Sequence, residues 1–198
     1  MGHGTVARPT GQQLVSADGS AWWFDSGALA LDFAYTGAMG DRPEWETLHE
    51  AHDLAAWLNG RFDEIDGSVS EGDLRDALAL RAAIARAVVR VSHGEVPSSA
   101  DVDVINLFAA TPDIPPALAG GTRQAGRSRA RVGQALSEMA RETVALLSIN
   151  DGGRIRECAA DDCQIVFYDE SRSNNRRWCS MAHCGNRAKV RRHRASQK

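Results

Sequence analysis

Four cysteines, Cys158, Cys163, Cys179 and Cys184, lie in the last fifth of the chain, and the 157 residues before them contain none. They form two C-x4-C pairs with fifteen residues between the pairs. Cysteine binds metal as a soft thiolate, and four in two short pairs can close a tetrahedral zinc shell. A segment of about 45 residues with one small apolar cluster cannot fold on burial alone. A structural metal supplies the missing free energy, about 10–16 kcal/mol in small zinc modules. The spacing predicts one structural zinc ion on these four sulfurs, with no open position for metal chemistry. Disulfides or unrelated buried thiols are the alternatives. His183 adjoins Cys184 and is a substitute ligand, but four sulfurs suffice and it is expected to face away.

At 198 residues the chain can hold one medium domain and a small appendage. The net charge of −3 hides a split. Residues 1–150 carry 12 Lys+Arg against 20 Asp+Glu, a net of −8, while residues 151–198 carry 11 against 6, a net of +5. No acidic residue follows Glu170. Such asymmetry points to a basic module that meets a polyanion, attached to a body that need not. The start of the chain has no apolar signal core, and no run reaches the roughly 18 apolar residues of a membrane span. The expectation is a cytoplasmic protein without membrane contact, where paired thiols read as metal ligands or redox groups.

The pattern predicts an α+β fold: a mainly helical N-terminal domain with a few short strands over residues 1–150, then a small zinc module over 151–198. Residues 21–24 read as a strand, and 27–36 as a helix or extended core segment that periodicity cannot settle. Pro43 opens a helix carrying Trp45, Leu48, His49, His52, Ala55 and Leu58 to Gly60. Ser70 and Asp73 form a capping box for a helix to about Ser92. Ser98 and Asp101 open another, ended before Pro112. Residues 112–126 read as a loop or weak hairpin, and a long helix covers about 128–149. The breaker Asn150-Asp151-Gly152-Gly153 marks the boundary.

Within the module, the turn between Cys158 and Cys163 reads as a knuckle that points two sulfurs inward. Residues 165–168 form a strand, and residues 176–178 are expected to return as its partner. Ser180 caps a helix from about Met181, with Cys184 in its first turn, where the dipole favours a thiolate. Knuckle, hairpin and helix together read as a treble-clef-like finger. Along the helix, Arg187, Arg191, Arg194 and Lys198 share one face, with Lys189, Arg192 and His193 on the other sides. A helix this wide fits a major groove, and arginines bind phosphates or guanine edges. Arg172, Arg176 and Arg177 can add phosphate contacts. The candidate nucleic-acid residues are therefore Arg172, Arg176, Arg177, Arg187, Lys189, Arg191, Arg192 and Arg194. DNA is favoured over RNA because stacking aromatics are scarce, Trp178 reading as core.

The run Trp178-Cys179-x4-Cys184-Gly185-Asn186-Arg187 resembles the CGNR zinc-finger family. The similarity covers residues 158–194, including Asp169, Ser171-Arg172 and Arg176-Arg177-Trp178-Cys179. In that family's usual architecture an ABATE domain precedes the finger, and the proteins are regarded as stress-responsive bacterial transcription regulators. Leu31-Asp32-Phe33-Ala34-Tyr35-Thr36 is similar to the ABATE domain's opening Leu-Asp-Phe-x-Asn-Thr signature, with Tyr35 where Asn is usual. The resemblance implies a treble-clef-like finger behind a domain whose ligand it does not specify.

The N-terminal half carries few chemical signals. Asp32, His49, His52 and Asp53 invite a metal site, since histidines three apart on a helix can share a metal. Buried or capping roles are the plainer reading of all four. Trp22, Trp23, Trp45 and Trp57 either line an apolar pocket or belong to the core. Neither a phosphate loop nor a nucleophile motif is present, and no enzymatic activity is expected. The leading expectation is a zinc-dependent DNA-binding transcription regulator. Its N-terminal domain would sense a small-molecule effector or form a homodimer. A zinc-scaffolded protein-interaction module is the alternative, its basic helix meeting an acidic surface. A treble-clef nuclease using His183, His193 and Asn186 is a third reading, weakened by the lack of nearby carboxylates.

Overall fold

The computed structural model describes residues 9–16, 18–40, 42–62, 65, 67–115, 130–148 and 153–197. The described residues begin near an antiparallel hairpin of β1 (Gln12–Val15) and β2 (Ala21–Phe24), in register Leu14 to Trp22. Five helices follow: α1 (Leu29–Ala34), α2 (Ala51–Asn59), α3 (Glu71–Ser92), α4 (Ser99–Ala109) and α5 (Val132–Ser148). The long α3 is the hub, touching α1, α2, α4 and α5. Its inward side is Leu74, Ala77, Leu80, Ala83, Ile84, Ala87 and Val88, an apolar stripe at helical spacing. Ser70 and Asp73 form the expected capping box, and Ser98 caps α4 by accepting the Asp101 N–H.

All six residues of α1 are buried, Asp32 included. A helix buried on every side shows no amphipathic period, which is why the sequence left helix and strand open here. Its N-terminus has no local side-chain cap. Glu142 of α5 accepts the Ala30 N–H at 2.6 Å instead. Asp32 ties α1 to the hairpin, accepting from the Gly11 N–H and the Ser26 hydroxyl, each at 2.6 Å.

The helix expected from Pro43 to Gly60 is broken. Pro43–Trp45 make a single 3-10 turn, and α2 starts only at Ala51. Between them, the Thr47 N–H goes to the Thr36 carbonyl, and Glu46 turns inward to Arg81, which is only 7% exposed. Glu50 and Asp53 then restart the helix with a capping box. His49 therefore precedes the helix and does not share a helical face with His52. The segment before β2 holds β1, in which Leu14 is buried, and Gly11 just before it is buried too. Residues 112–115 carry no regular structure; the remainder of that loop, residues 128, 129 and 149, and the breaker up to Gly152 lie outside the described residues.

The module after Gly153 has its own small sheet. β3 (Ile155–Glu157) pairs antiparallel with β4 (Val166–Tyr168), in register Arg156 to Phe167. The expected partner strand at 176–178 is absent: that segment is irregular, and the true partner lies upstream in Ile155–Glu157. The knuckle is thus the connection of the β3–β4 hairpin itself. A turn at Met181–Gly185 then leads into α6 (Asn186–Ala195).

β4 has β3 on one edge and the N-terminal domain on the other. The Tyr168 N–H donates to the Ser26 carbonyl at 2.8 Å. Gly27, at φ +80°, lets the backbones approach there: a Cβ on it would collide with the Tyr168 carbonyl oxygen. Val166 and Phe167 of β4, Ile155 and all four cysteines belong to the same buried cluster as α1 and α3.

Candidate metal centre and nucleic-acid interface

The β3–β4 hairpin supplies Cys158 and Cys163; Cys179 and Cys184 come from the segment that enters α6. All four sulfurs lie within 4.8 Å of one another, and every one of these residues is buried. Cys163 and Cys179 have sulfurs 3.8 Å apart. Tetrahedral zinc with bonds of about 2.3 Å sets sulfurs about 3.8 Å apart, whereas a disulfide needs about 2.05 Å. The four are free thiols and form no disulfide. Alone, four thiols this close cannot all ionise. Hydrogen bonds from Cys163 and Cys179 pull Cys158 well down. Cys163 and Cys179 are pushed up, chiefly by their bonds to Cys158, and Cys184 by burial. A divalent cation is the species that makes four thiolates compatible in this volume, and a closed S4 shell suits zinc. Among the described residues this is the only set of three or more His, Cys, Asp or Glu side chains placed to hold a metal.

Backbone bonds fix the ligands. The Cys158 N–H donates to the Ile165 carbonyl and the Cys163 N–H to the Ala160 carbonyl, closing the knuckle. The Ala159 N–H reaches the Arg177 carbonyl, joining the knuckle to the second ligand pair. Ser180 caps the final turn as expected, accepting the His183 N–H at 3.4 Å. N–H groups point at the sulfurs: Cys179 N–H toward Cys158 Sγ at 3.4 Å and Arg187 toward Cys184 Sγ at 3.6 Å, with the backbone of Ala160 toward Cys158 and of Ile165 toward Cys163. Such donors stabilise thiolate and orient the ligands. His183 stands away from the sulfurs. It stacks on Trp22 of β2, with ring centroids 4.4 Å apart and planes 4° from parallel. Burial, with Arg187 nearby, lowers its pKa and favours the neutral ring.

The module's arginines divide into two groups. Arg176 is committed to the fold. Its guanidinium lies over Phe167 and donates to the carbonyls of Cys179, Trp178 and Asp25. Arg154 and Arg156 similarly satisfy carbonyls of the loop after β4, around the fully buried Asp169. The second group is exposed. Arg172 and Arg177 stand on that loop, Arg177 over the Trp178 ring. On α6, Arg187, Lys189, Arg191, Arg192 and Arg194 are all exposed, and no residue of the helix is buried. The face of Arg187 and Arg191 leans over the knuckle, where both meet Asp162 at 3.0 and 3.1 Å. Arg191, with Arg187 beside it, holds the Asp162 carboxyl below the usual range. Lys189, Arg192 and Arg194 make no ion pair among the described residues. Lys198 lies outside them.

The N-terminal candidates separate. Asp32 is a buried strut. Asp53 caps α2, and exposed His52 pairs with Asp53 and Glu50 at 3.0 and 3.3 Å. Trp57 packs on Phe33, and Trp23 is 56% exposed. Trp22 and Trp45 do line a cavity, one that also takes in His183 and Arg187 of the finger. Sequence reasoning missed Tyr35, Glu142 and Asp162. The departure from the usual Asn at Tyr35 was the one visible signal among them.

Comparison with curated proteins gives no match. Residues 154–197 match the family described as "CGNR zinc finger". Residues 27–149, more than half of the chain, match the ABATE family, described as "Putative stress-induced transcription regulator". The chain belongs to the ABATE family and carries a CGNR zinc finger whose four cysteines are positioned to bind one zinc ion.

Proposed function

We propose that the protein is a DNA-binding transcription regulator without enzymatic activity, in which zinc holds α6 as the DNA-reading helix. The observation that carries this is the setting of α6. It extends from the metal centre with every residue exposed or half-exposed, carries five Arg or Lys side chains and no acid, and packs chiefly on the turn that bears Cys184, with Arg187 and Arg191 also meeting Asp162 of the knuckle. Lys189, Arg192 and Arg194 make no ion pair among the described residues, so the fold makes no evident use of their charges, and a helix of this width fits a B-DNA major groove. Arg172 and Arg177 extend the positive surface toward neighbouring phosphate. Arg176 is left out of this interface because its guanidinium is used by the fold. The closed sulfur shell leaves the metal no open site for catalysis.

A single finger has a small footprint, so useful affinity calls for a homodimer or a second DNA-contacting partner. Direct binding to mixed-sequence duplex DNA at low salt, with the full chain loaded with zinc and then stripped of it, tests the proposal. Zinc-dependent binding supports it. Equal binding after zinc removal, or none in either state, contradicts it and favours the protein-interaction reading.

A further inference from the structure

A cleft of about 500 Å³ lies between the N-terminal domain and the finger, a volume in the range of small-molecule sites. Trp22, Met39 and Trp45 give it apolar walls, and Asp162, His183 and Arg187 face it from the finger. Most of its charges are already matched. Arg42 lies 3.6 Å from Glu44 and over the Trp45 ring, while Asp162 meets Arg187 at 3.0 Å. Asp18 is the exception. It takes two hydrogen bonds from Ser20, both on Oδ1 at 2.9 and 2.6 Å, and pairs with no cation among the described residues. Two residues earlier on the same lining, the Ser16 hydroxyl is buried with no hydrogen-bond partner. A buried orphan hydroxyl costs free energy that a complementary ligand recovers. Asp18 is exposed where it lines the cleft, and a carboxylate beside aromatic walls favours a positive over a negative ligand there, with water screening part of the attraction.

We propose that this cleft binds a small organic cation with an aromatic or apolar body, an amine whose ammonium pairs with Asp18 and hydrogen-bonds Ser16 while its body packs on Trp22 and Met39. Because His183 and Arg187 share the lining, an occupied cleft also biases the base of α6. That coupling rests on the DNA-binding reading above; the binding itself does not.

The test uses the zinc-loaded full chain and its own tryptophan fluorescence, since Trp22 and Trp45 line the cleft. 2-Phenylethylamine is titrated against phenylacetate, which keeps the ring and reverses the charge. The amine should give a saturable change and phenylacetate none. Asp18→Asn keeps an acceptor for Ser20 and should weaken amine binding by about two- to fivefold. Ser16→Ala should weaken it by a smaller factor without lowering the Tm of the free protein. An equal response to phenylacetate, no saturable response to the amine, or amine binding indifferent to Asp18→Asn overturns the site. Saturating amine should also change DNA affinity, and DNA should change amine affinity by the same factor. Amine binding with unchanged DNA affinity overturns the coupling alone. Absence of DNA binding overturns the regulator reading, while the fluorescence titration still decides the site.

Discussion

The Tyr35 hydroxyl makes two hydrogen bonds to one residue of the finger: it donates to the Val166 carbonyl at 2.9 Å and accepts the Val166 N–H at 2.8 Å. With Ser26, it occupies the edge of β4 that a third strand would otherwise cover. Burial raises the phenol pKa well above its usual value, so it stays a neutral donor. Tyr35→Phe keeps the ring packing on Phe24 and Trp45 but orphans two buried backbone groups. The expected loss is about 2 kcal/mol or more, each unsatisfied group costing about 1–3 kcal/mol. Denaturant unfolding of the zinc-loaded variant checks it.

This bond shows which parts of the molecule the sequence could reveal. The capping box at Ser70 and the N-cap at Ser98 are local signals, and α3 and α4 begin where those signals stand. The cysteine pairs are also local, and their ligand set is legible as spacing. Partners 131 residues apart, Tyr35 and Val166, leave no local trace beyond an unexpected residue in a signature. Neither does Glu142 capping α1, because a cap from another helix has no fixed spacing. The false helix over 43–50 came from apolar spacing that tertiary contacts overrode, Glu46 being drawn to Arg81. The false partner strand arose because Ile155–Glu157, only three residues long and partly charged, lies beyond the knuckle from β4.

Zinc removal should destabilise more than the finger. The cysteines share one buried cluster with α1 and α3, so removing the metal opens the wall against which the N-terminal domain packs. Chelation should lower the Tm of the whole chain, with loss of helix signal and not only of finger signals. Cys184→Ser should reproduce most of that loss. A chelated protein with unchanged Tm would mean that the two parts are energetically separate.

Glu142 gives a pH signature. Burial raises its carboxyl above the usual range, despite the Ala30 N–H bond that favours the anion. The folded state therefore holds the proton more tightly than the unfolded chain. This group's contribution is fully favourable below the unfolded value of about 4.3 and is lost as pH rises through the raised folded value. Glu142→Gln should remove that decline. The difference in stability between variant and parent, measured with zinc saturating, should move in the variant's favour as pH rises from about 4 toward neutrality. A flat difference would contradict the assignment.

Arg176 and Arg192 should behave as opposites. Arg176→Ala orphans the carbonyls of Asp25, Trp178 and Cys179 and should cost about 2 kcal/mol or more of stability. Arg192 is exposed and its side chain makes no hydrogen bond or ion pair among the described residues, so Arg192→Ala should stay within about 0.5 kcal/mol of the parent. Unfolding midpoints of the two variants decide this.

The most direct test of zinc-held α6 as a DNA-binding element is the salt dependence of DNA affinity. Lys189→Ala, Arg192→Ala and Arg194→Ala, combined in one zinc-loaded variant, should leave the Tm unchanged. The slope of log affinity against log salt should become shallower by about 0.9 for each phosphate that the variant no longer neutralises. An identical slope in parent and variant, or no DNA binding by the parent at low salt, would contradict the account.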